Sequence, residues 1–237
     1  MRGRTGDPAG TPCDRDILAG IYERQFRELE RLRRHILSLL PLRRAGSIFE
    51  PGCGTGLLAN DIMELTDASY TGMDIDGDIL PKGGCFIRGD ALRHPHVADM
   101  YVTAFFFSSI PDPGSWLSKV RRKLAPGGLF AVFGEYDYEA VSIDTDRGLK
   151  ADIIRGLERS GLHTCHGGRL DTYFTEAGFI KLHGGDAATD STDPDPDFLR
   201  MHLDDLPDPL PSIKWRIVWG IWRNPRTSVR EHSISRA

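Results

Sequence analysis

The sequence predicts an α/β fold built as a doubly wound, mainly parallel sheet with helices on both faces. Three observations carry this expectation. Strand-like and helix-like patterns alternate along the chain, and a glycine-rich turn joins the first strand to a helix. Tyr101 to Phe107 is a continuously apolar run, the pattern of a central parallel strand covered on both faces. With 237 residues and 40% hydrophobic content the chain can bury one sizeable core, so a single domain is expected.

Met1 to Asp16 is polar and rich in Gly and Pro, has no apolar stretch suited to a signal peptide, and is expected to be disordered. From Ile17 to Leu40 apolar residues recur every three to four positions, including Ile21, Tyr22, Phe26, Leu29, Leu32, Ile36 and Leu37. That spacing predicts one or two amphipathic helices ended by Pro41, and residues 17–45 form a helical lid ahead of a domain spanning 46–222. Ser47 to Glu50 is the first strand, followed by the glycine turn and a helix from Leu57 to Leu65. Ser69 to Met73, Cys85 to Arg88 and Tyr101 to Phe107 are the next three strands. A helix from Trp116 to Leu124 leads through Pro126-Gly127-Gly128 to a fifth strand, Leu129 to Phe133. Leu149 to Ser160 and Leu170 to Ala177 have helical spacing, and Phe179 to His183 is a sixth strand. An Asp- and Pro-rich connection, 186–211, holds a short helix at Phe198 to Leu203. Trp215 to Trp222 is β-rich and closes the sheet, and 223–237 is a polar tail. No internal repeat is present.

The formal net charge of −4 gives no global field to draw phosphate backbones, so nucleic acid is not an expected partner. Arg24, Arg27, Arg31, Arg33, Arg34, Arg43 and Arg44 interleave with Glu23, Glu28 and Glu30 and read as a solvated helix face. Cys13, Cys53, Cys85 and Cys165 lack C-x-x-C spacing and fit a reducing cytoplasm rather than a disulfide framework. No window approaches the roughly 18 apolar residues of a membrane span.

The informative segment is Glu50-Pro51-Gly52-Cys53-Gly54-Thr55-Gly56. Its glycines let the backbone approach a ligand, and the N-terminus of the following helix offers N–H donors and partial positive charge to an anionic group. A G-x-G-x-x-G dinucleotide fingerprint would need its third glycine at position 57, which is Leu57. A P-loop would need Lys there. Both options fall. Glu50, at the end of an apolar strand, is costly to bury unless it meets donors or a cation. S-adenosylmethionine presents such a surface, with an ammonium and a sulfonium beside a carboxylate. Asp74, ending Tyr70-Thr71-Gly72-Met73-Asp74, can accept from both hydroxyls of a ribose, or else cap the next helix, as can Asp76.

Ile48 to Gly56 resembles the glycine motif of class I S-adenosylmethionine-dependent methyltransferases. Asp74, Asp90 within Phe86 to Leu92, the segment 98–112, and Leu124-Ala125-Pro126-Gly127-Gly128 follow in the order of that family's motifs. The resemblance implies a Rossmann-like, seven-stranded sheet, mostly parallel with an antiparallel last strand, and S-adenosylmethionine as cofactor. It implies cofactor contacts from Glu50, Gly52, Cys53, Gly54 and Gly56, with Asp74 on the ribose and Asp90 on the adenine amino group. Ile75, Ala91 and Leu92 would flank the ring, and Ala104 and Phe105 would follow at the end of the fourth strand. One departure stands out: only Asp76 to Gly84 connects the second and third strands, where related enzymes have a full helix.

The implied reaction is in-line methyl transfer to an O, N or C centre of a small-molecule metabolite, for which a catalytic base is optional. Candidates for a proton-accepting role are Glu135, Tyr136, Asp137 and Tyr138 after the fifth strand, and His163 and His166. The stretch from Ser160 to Leu170 resembles one found in a subset of the family that acts on small molecules. His163, Cys165 and His166 are three ligand types within four residues with no distant fourth, so no metal is expected. On the lid, Tyr22, Gln25 and Phe26 can face the acceptor. Two alternatives stand beside this reading. One is a non-catalytic binding domain that keeps the fold. The other is a protein or nucleic-acid methyltransferase, although Ser108-Ser109-Ile110-Pro111 stands where an N-P-P-Y motif would be. The expected state is a monomer or homodimer.

Overall fold

The computed structural model describes residues 12–144, 148–189, 193–203 and 205–226. The expected disorder of the first residues and most of the polar tail lie outside them. Two helices open the chain, α1 (Pro12–Glu28) and α2 (Glu30–Leu39). Then come β1 (Ser47–Pro51), α3 (Leu57–Met63), β2 (Ser69–Asp74), β3 (Phe86–Arg88) and β4 (Ala98–Thr103). They are followed by α4 (Pro113–Lys123), β5 (Leu124–Tyr136), β6 (Ser142–Ile143) and α5 (Leu149–Arg159). The chain continues with α6 (Leu170–Glu176), β7 (Ile180–Ala188), α7 (Pro196–His202), β8 (Ile213–Lys214) and β9 (Arg216–Arg223).

Seven strands form one sheet in the order β3-β2-β1-β4-β5-β9-β7, and β6 pairs with β8 apart from it. β1 to β5 run parallel, whereas β9 is antiparallel to both β5 and β7. The sheet is therefore mostly parallel with an antiparallel last strand, as the resemblance implies. The strand order reverses between β1 and β4, so a crevice opens at their carboxyl ends. Thr103 Oγ1 donates to the Pro51 carbonyl at 3.0 Å and ties the two strands at that point.

Alternation along the strands sorts side chains between the two faces. Ile48, Tyr70, Met100, Val102, Ala131 and Phe133 meet Ile36 and Leu37 of α2 and Leu58 and Ile62 of α3. Phe49, Tyr101, Phe130 and Val132 meet Trp116, Leu117 and Val120 of α4 and Phe174 of α6, whose ring stacks on Trp222 at 3.9 Å. A third cluster joins Ile153 and Leu157 of α5 and Leu199 of α7 to Tyr136, Trp215 and Ile217.

Some expectations need correction. β4 ends at Thr103 rather than Phe107, because Phe105 takes a left-handed φ of +52° and the chain leaves the sheet. Phe107 is still fully buried, in a short turn, and an apolar run does not separate a strand from a buried aromatic turn. The tail does not begin at 223: Arg223 ends β9, and the fully buried Asn224 donates to the carbonyls of Arg121, Leu124 and Ala125. The basic stretch is not wholly a solvated face either. Arg33 is buried, bonds Asp61 at 2.6 Å and lies 3.4 Å above the Phe26 ring.

Candidate active site

The turn after β1 needs glycine for two separate reasons. Gly52, Gly54 and Gly56 have φ of +68°, +50° and +73°, a region that disfavours a Cβ. A Cβ at Gly52 would also lie 2.3 Å from the Phe106 ring, and one at Gly56 2.7 Å from Pro81. Most backbone N–H groups of the turn are committed: Gly52 and Cys53 donate to the Met73 carbonyl at 2.8 and 3.2 Å, and Gly56 to Cys53 at 2.9 Å. Gly54 N–H donates to Asp74 Oδ2 at 2.9 Å. Thr55 N–H makes no such bond among the described residues and Thr55 lines the cavity, so the turn supplies mainly shape and one donor.

Three carboxylates surround the turn. Glu50 is buried at the end of β1 and accepts a hydrogen bond from the Tyr70 hydroxyl. Burial raises its pKa from 4.5 to about 8, against the Tyr70 hydrogen bond and with a smaller contribution from Asp74. Asp74 ends β2 and accepts from Gly54 and, at 3.0 Å, from Asp76 N–H; burial again raises its pKa. It caps no helix, since a turn follows it. Asp90 follows β3, accepts from Leu92 N–H at 2.9 Å and pairs with Arg93 at 3.1 Å.

These groups border one cavity of about 410 Å³ at the carboxyl ends of β1, β2 and β4. Of the expected cofactor contacts, Glu50, Gly52, Cys53, Gly54, Asp74, Ile75, Asp90, Ala91, Leu92, Ala104 and Phe105 all line it. Gly56 does not; it lets Pro81 and Phe86 pack onto the turn. Opposite the carboxylates, α1 covers the cavity with Leu18, Tyr22, Gln25 and Phe26. Burial raises the Tyr22 hydroxyl to about 12, with Asp74 and Asp76 adding to it. Arg24 ties α1 to α7 through Asp195 at 2.6 Å and Asp197 at 3.1 Å. Of the aromatic residues expected to shape an acceptor pocket, Phe105, Phe106, Phe107, Trp116, Tyr136 and Tyr138, only Phe105 and Phe106 line the cavity, and the sequence reading missed Met73, Ile79 and Ser109 in the wall.

None of Glu135, Tyr136, Asp137, Tyr138, His163 or His166 borders this cavity. Glu135 is fully buried and accepts from Phe107 N–H at 2.7 Å. Tyr136 is buried and stacks on Phe105 at 4.8 Å, behind the wall. Asp137 is held by Arg216 at 2.8 Å, and Tyr138 packs on Tyr136 and Trp215. His166 Nε2 lies 3.0 Å from the Ile110 carbonyl and its Nδ1 2.9 Å from the Tyr173 hydroxyl. A carbonyl only accepts, so Nε2 carries a proton, and burial lowers the pKa of the ring. His163 and Cys165 border a separate open depression with Glu139 and Glu158. Among the described residues no group of three or more His, Cys, Asp or Glu is placed to hold a metal ion, and no helix is long and apolar enough to cross a membrane.

Residues 49–132 match the methyltransferase domain family. A sterol 24-C-methyltransferase of Gibberella zeae is 25% identical over 185 residues, which cover 69% of this chain and 47% of that protein. The chain thus spans about half the length of this curated relative. Among solved structures, an S-adenosylmethionine-dependent methyltransferase from Mesorhizobium loti superposes with a TM-score of 0.51 at 19% identity, covering 80% of this chain and 96% of that one. The YcgJ protein of Bacillus subtilis gives 0.57 at 12%, covering 84% and 100%. A protein solved in complex with a methyltransferase activator of Haloferax volcanii gives 0.64 at 14%, covering 92% and 100%.

Proposed function

We propose that this chain, a class I S-adenosylmethionine-dependent methyltransferase by the domain it carries, passes the methyl group of S-adenosylmethionine to a small, uncharged and largely apolar metabolite. The observation that carries this reading is that one cavity is lined by two sets of groups, carboxylates that make up the acidic half of its lining and rings that make up the aromatic half.

The acidic half fits the cofactor. Glu50 is buried with a hydroxyl as its recorded partner, so a cationic ammonium placed beside it would relieve the cost of burying its charge. Asp74 and Asp90 offer acceptors for a ribose and an adenine amino group, and Ile75, 69% exposed beside the cavity, offers an apolar ledge for a base. The aromatic half, from Tyr22, Phe26, Phe105 and Phe106, suits the acceptor, with Gln25 and Ser109 as neutral polar handles. Among the described residues no Lys, Arg or His lines the cavity, which disfavours an anionic acceptor and the phosphates of a nucleic acid. The likeness to a sterol 24-C-methyltransferase points the same way.

S-adenosylmethionine supplies an electrophilic methyl group on sulfur. What the chain adds is alignment and exclusion of water, because Tyr22, the titratable group in the aromatic half, holds its proton too tightly to act as a base near neutrality. Glu135, His163 and His166 are not assigned a catalytic role. The reading includes a cytoplasmic monomer or homodimer.

Isothermal titration with S-adenosylmethionine and S-adenosylhomocysteine, followed by a methyl-transfer screen over neutral apolar metabolites, nucleic acids and proteins, tests it. Saturable binding of both and methylation in the metabolite set are expected. Failure to bind either cofactor form, or turnover confined to macromolecules, would defeat the reading.

A further inference from the structure

The turn that follows β4, residues 104–110, puts Ala104, Phe105, Phe106 and Ser109 into the cavity wall, yet it is neither helix nor strand over most of its length. Its backbone is held from outside. Phe107 N–H donates to Glu135 Oε2 at 2.7 Å and Ser108 N–H to Oε1 at 3.4 Å. The Ser108 hydroxyl and the Phe106 N–H also act on this carboxylate. Phe105 N–H donates to the Gly134 carbonyl at 2.8 Å, while His163 N–H donates to the Ser108 carbonyl at 2.7 Å. His166 Nε2 donates to Ile110 at 3.0 Å. The turn's strained member, Phe105 at φ +52°, lies inside this set of ties.

We infer that Glu135 is a positioning residue for the active cavity: its fully buried carboxylate gathers the N–H groups of Phe107 and Ser108 and sets the neighbouring Phe106 ring against the glycine turn. The inference rests on the proposed cofactor site but not on the identity of the acceptor. Its geometric content is specific. The Phe106 ring lies where a Cβ on Gly52 would meet it at 2.3 Å, so a small shift of the turn changes the shape of the cofactor's cradle. Burial raises the Glu135 pKa to about 7 and the N–H donors oppose that rise, because the ionised carboxylate only accepts and its two oxygens can collect several N–H donors at once. The positioning role also explains why an acid stands in a core position with no cation paired to it among the described residues.

The test compares Glu135→Gln with wild type by hydrogen exchange over residues 104–110 and by titration with S-adenosylhomocysteine. The amide keeps the shape but turns one acceptor into a donor facing the N–H groups. Exchange in 104–110 should accelerate about tenfold and the Kd should rise about tenfold, while the amides of β1 and β2 keep wild-type protection. Phe106→Ala should reproduce the rise in Kd with Phe107 and Ser108 still protected. A folded Glu135→Gln protein with unchanged exchange overturns the inference, as does faster exchange with unchanged affinity. If Glu135→Gln does not fold, Ser108→Ala, which removes only the hydroxyl contact, should raise both quantities about threefold, and no change in either overturns the inference. Should wild type itself not bind S-adenosylhomocysteine, the proposed function fails, and exchange over 104–110 alone decides the role of Glu135.

Discussion

The acidic and aromatic halves of the cavity are assembled over different distances along the chain. Glu50, Asp74 and Asp90 each sit at or just beyond the end of successive strands, and Asp74 reaches Gly54 across 20 positions of sequence. The aromatic half combines α1 with the turn after β4, and its ties span 28 positions from Phe107 to Glu135 and 56 from Ile110 to His166. In the first half the functional groups touch the cavity themselves. In the second, most of the polar chemistry lies one layer back and acts on the shape of the wall. The comparison teaches that a buried acid or histidine near a pocket can be its frame.

Variants can break this contrast, beginning with the largest effect. Gly52→Val places a β-branched residue at φ +68° and into the Phe106 ring, and so strikes both halves at once. S-adenosylhomocysteine affinity should fall at least about a hundredfold by calorimetry. Affinity kept within a few fold would mean that the turn and Phe106 are independent. Asp74→Ala confines the damage to the acidic half. It removes the proposed ribose acceptor and the tie to Gly54, and a loss of about tenfold to a hundredfold is expected with circular dichroism unchanged.

Glu50→Gln separates binding from folding through pH. Burial raises the Glu50 pKa in the folded chain to about 8, above its ordinary 4.5, so the folded state holds this proton where the unfolded state has released it. Stability of the unliganded protein therefore declines through this group as pH rises from about 4.5 towards 8. Glu50→Gln should remove that decline, making the unliganded variant more resistant to urea than wild type at pH 8 but not at pH 5, while weakening cofactor binding. Equal pH profiles for the two proteins would show that the Glu50 charge is met within the fold.

The smallest effect is expected at the clasp of the cover. Arg24 is 42% exposed on its side chain, and an ion pair at such a position contributes about 1 kcal/mol or less. Arg24→Ala should speed S-adenosylhomocysteine release in stopped-flow by roughly twofold to threefold, an effect that high salt should reproduce in wild type. An unchanged release rate would mean that α1 is held by its apolar face alone.

The strands and their alternation with helices were legible because a covered parallel strand leaves an apolar run and a turn leaves Gly or Pro. The acidic half was legible for the same reason: left-handed backbone positions and strand-end carboxylates are local features. Element ends were less so. Phe105 to Phe107 continues the apolar run of β4, yet the chain turns there, since buried turn aromatics and strand aromatics contribute the same letters. The buried Arg33 shows a similar limit, because its place among arginines gave no sign that Asp61 and Phe26 would enclose it.

Periodicity and glycine placement determined by themselves that this chain forms a doubly wound sheet with a ligand-approaching turn after its first strand, and the order of the motifs carried the resemblance to S-adenosylmethionine-dependent methyltransferases. Those properties depend on backbone conformation and on neighbours a few residues apart. Only the tertiary structure decided that Glu135, Tyr136 and His166 stand behind the wall, that His163 borders a separate depression, and that Gly56 serves packing. Which way a side chain faces, and what meets it there, depends on segments many positions away, and a linear chain carries no local mark of a partner it meets only on folding.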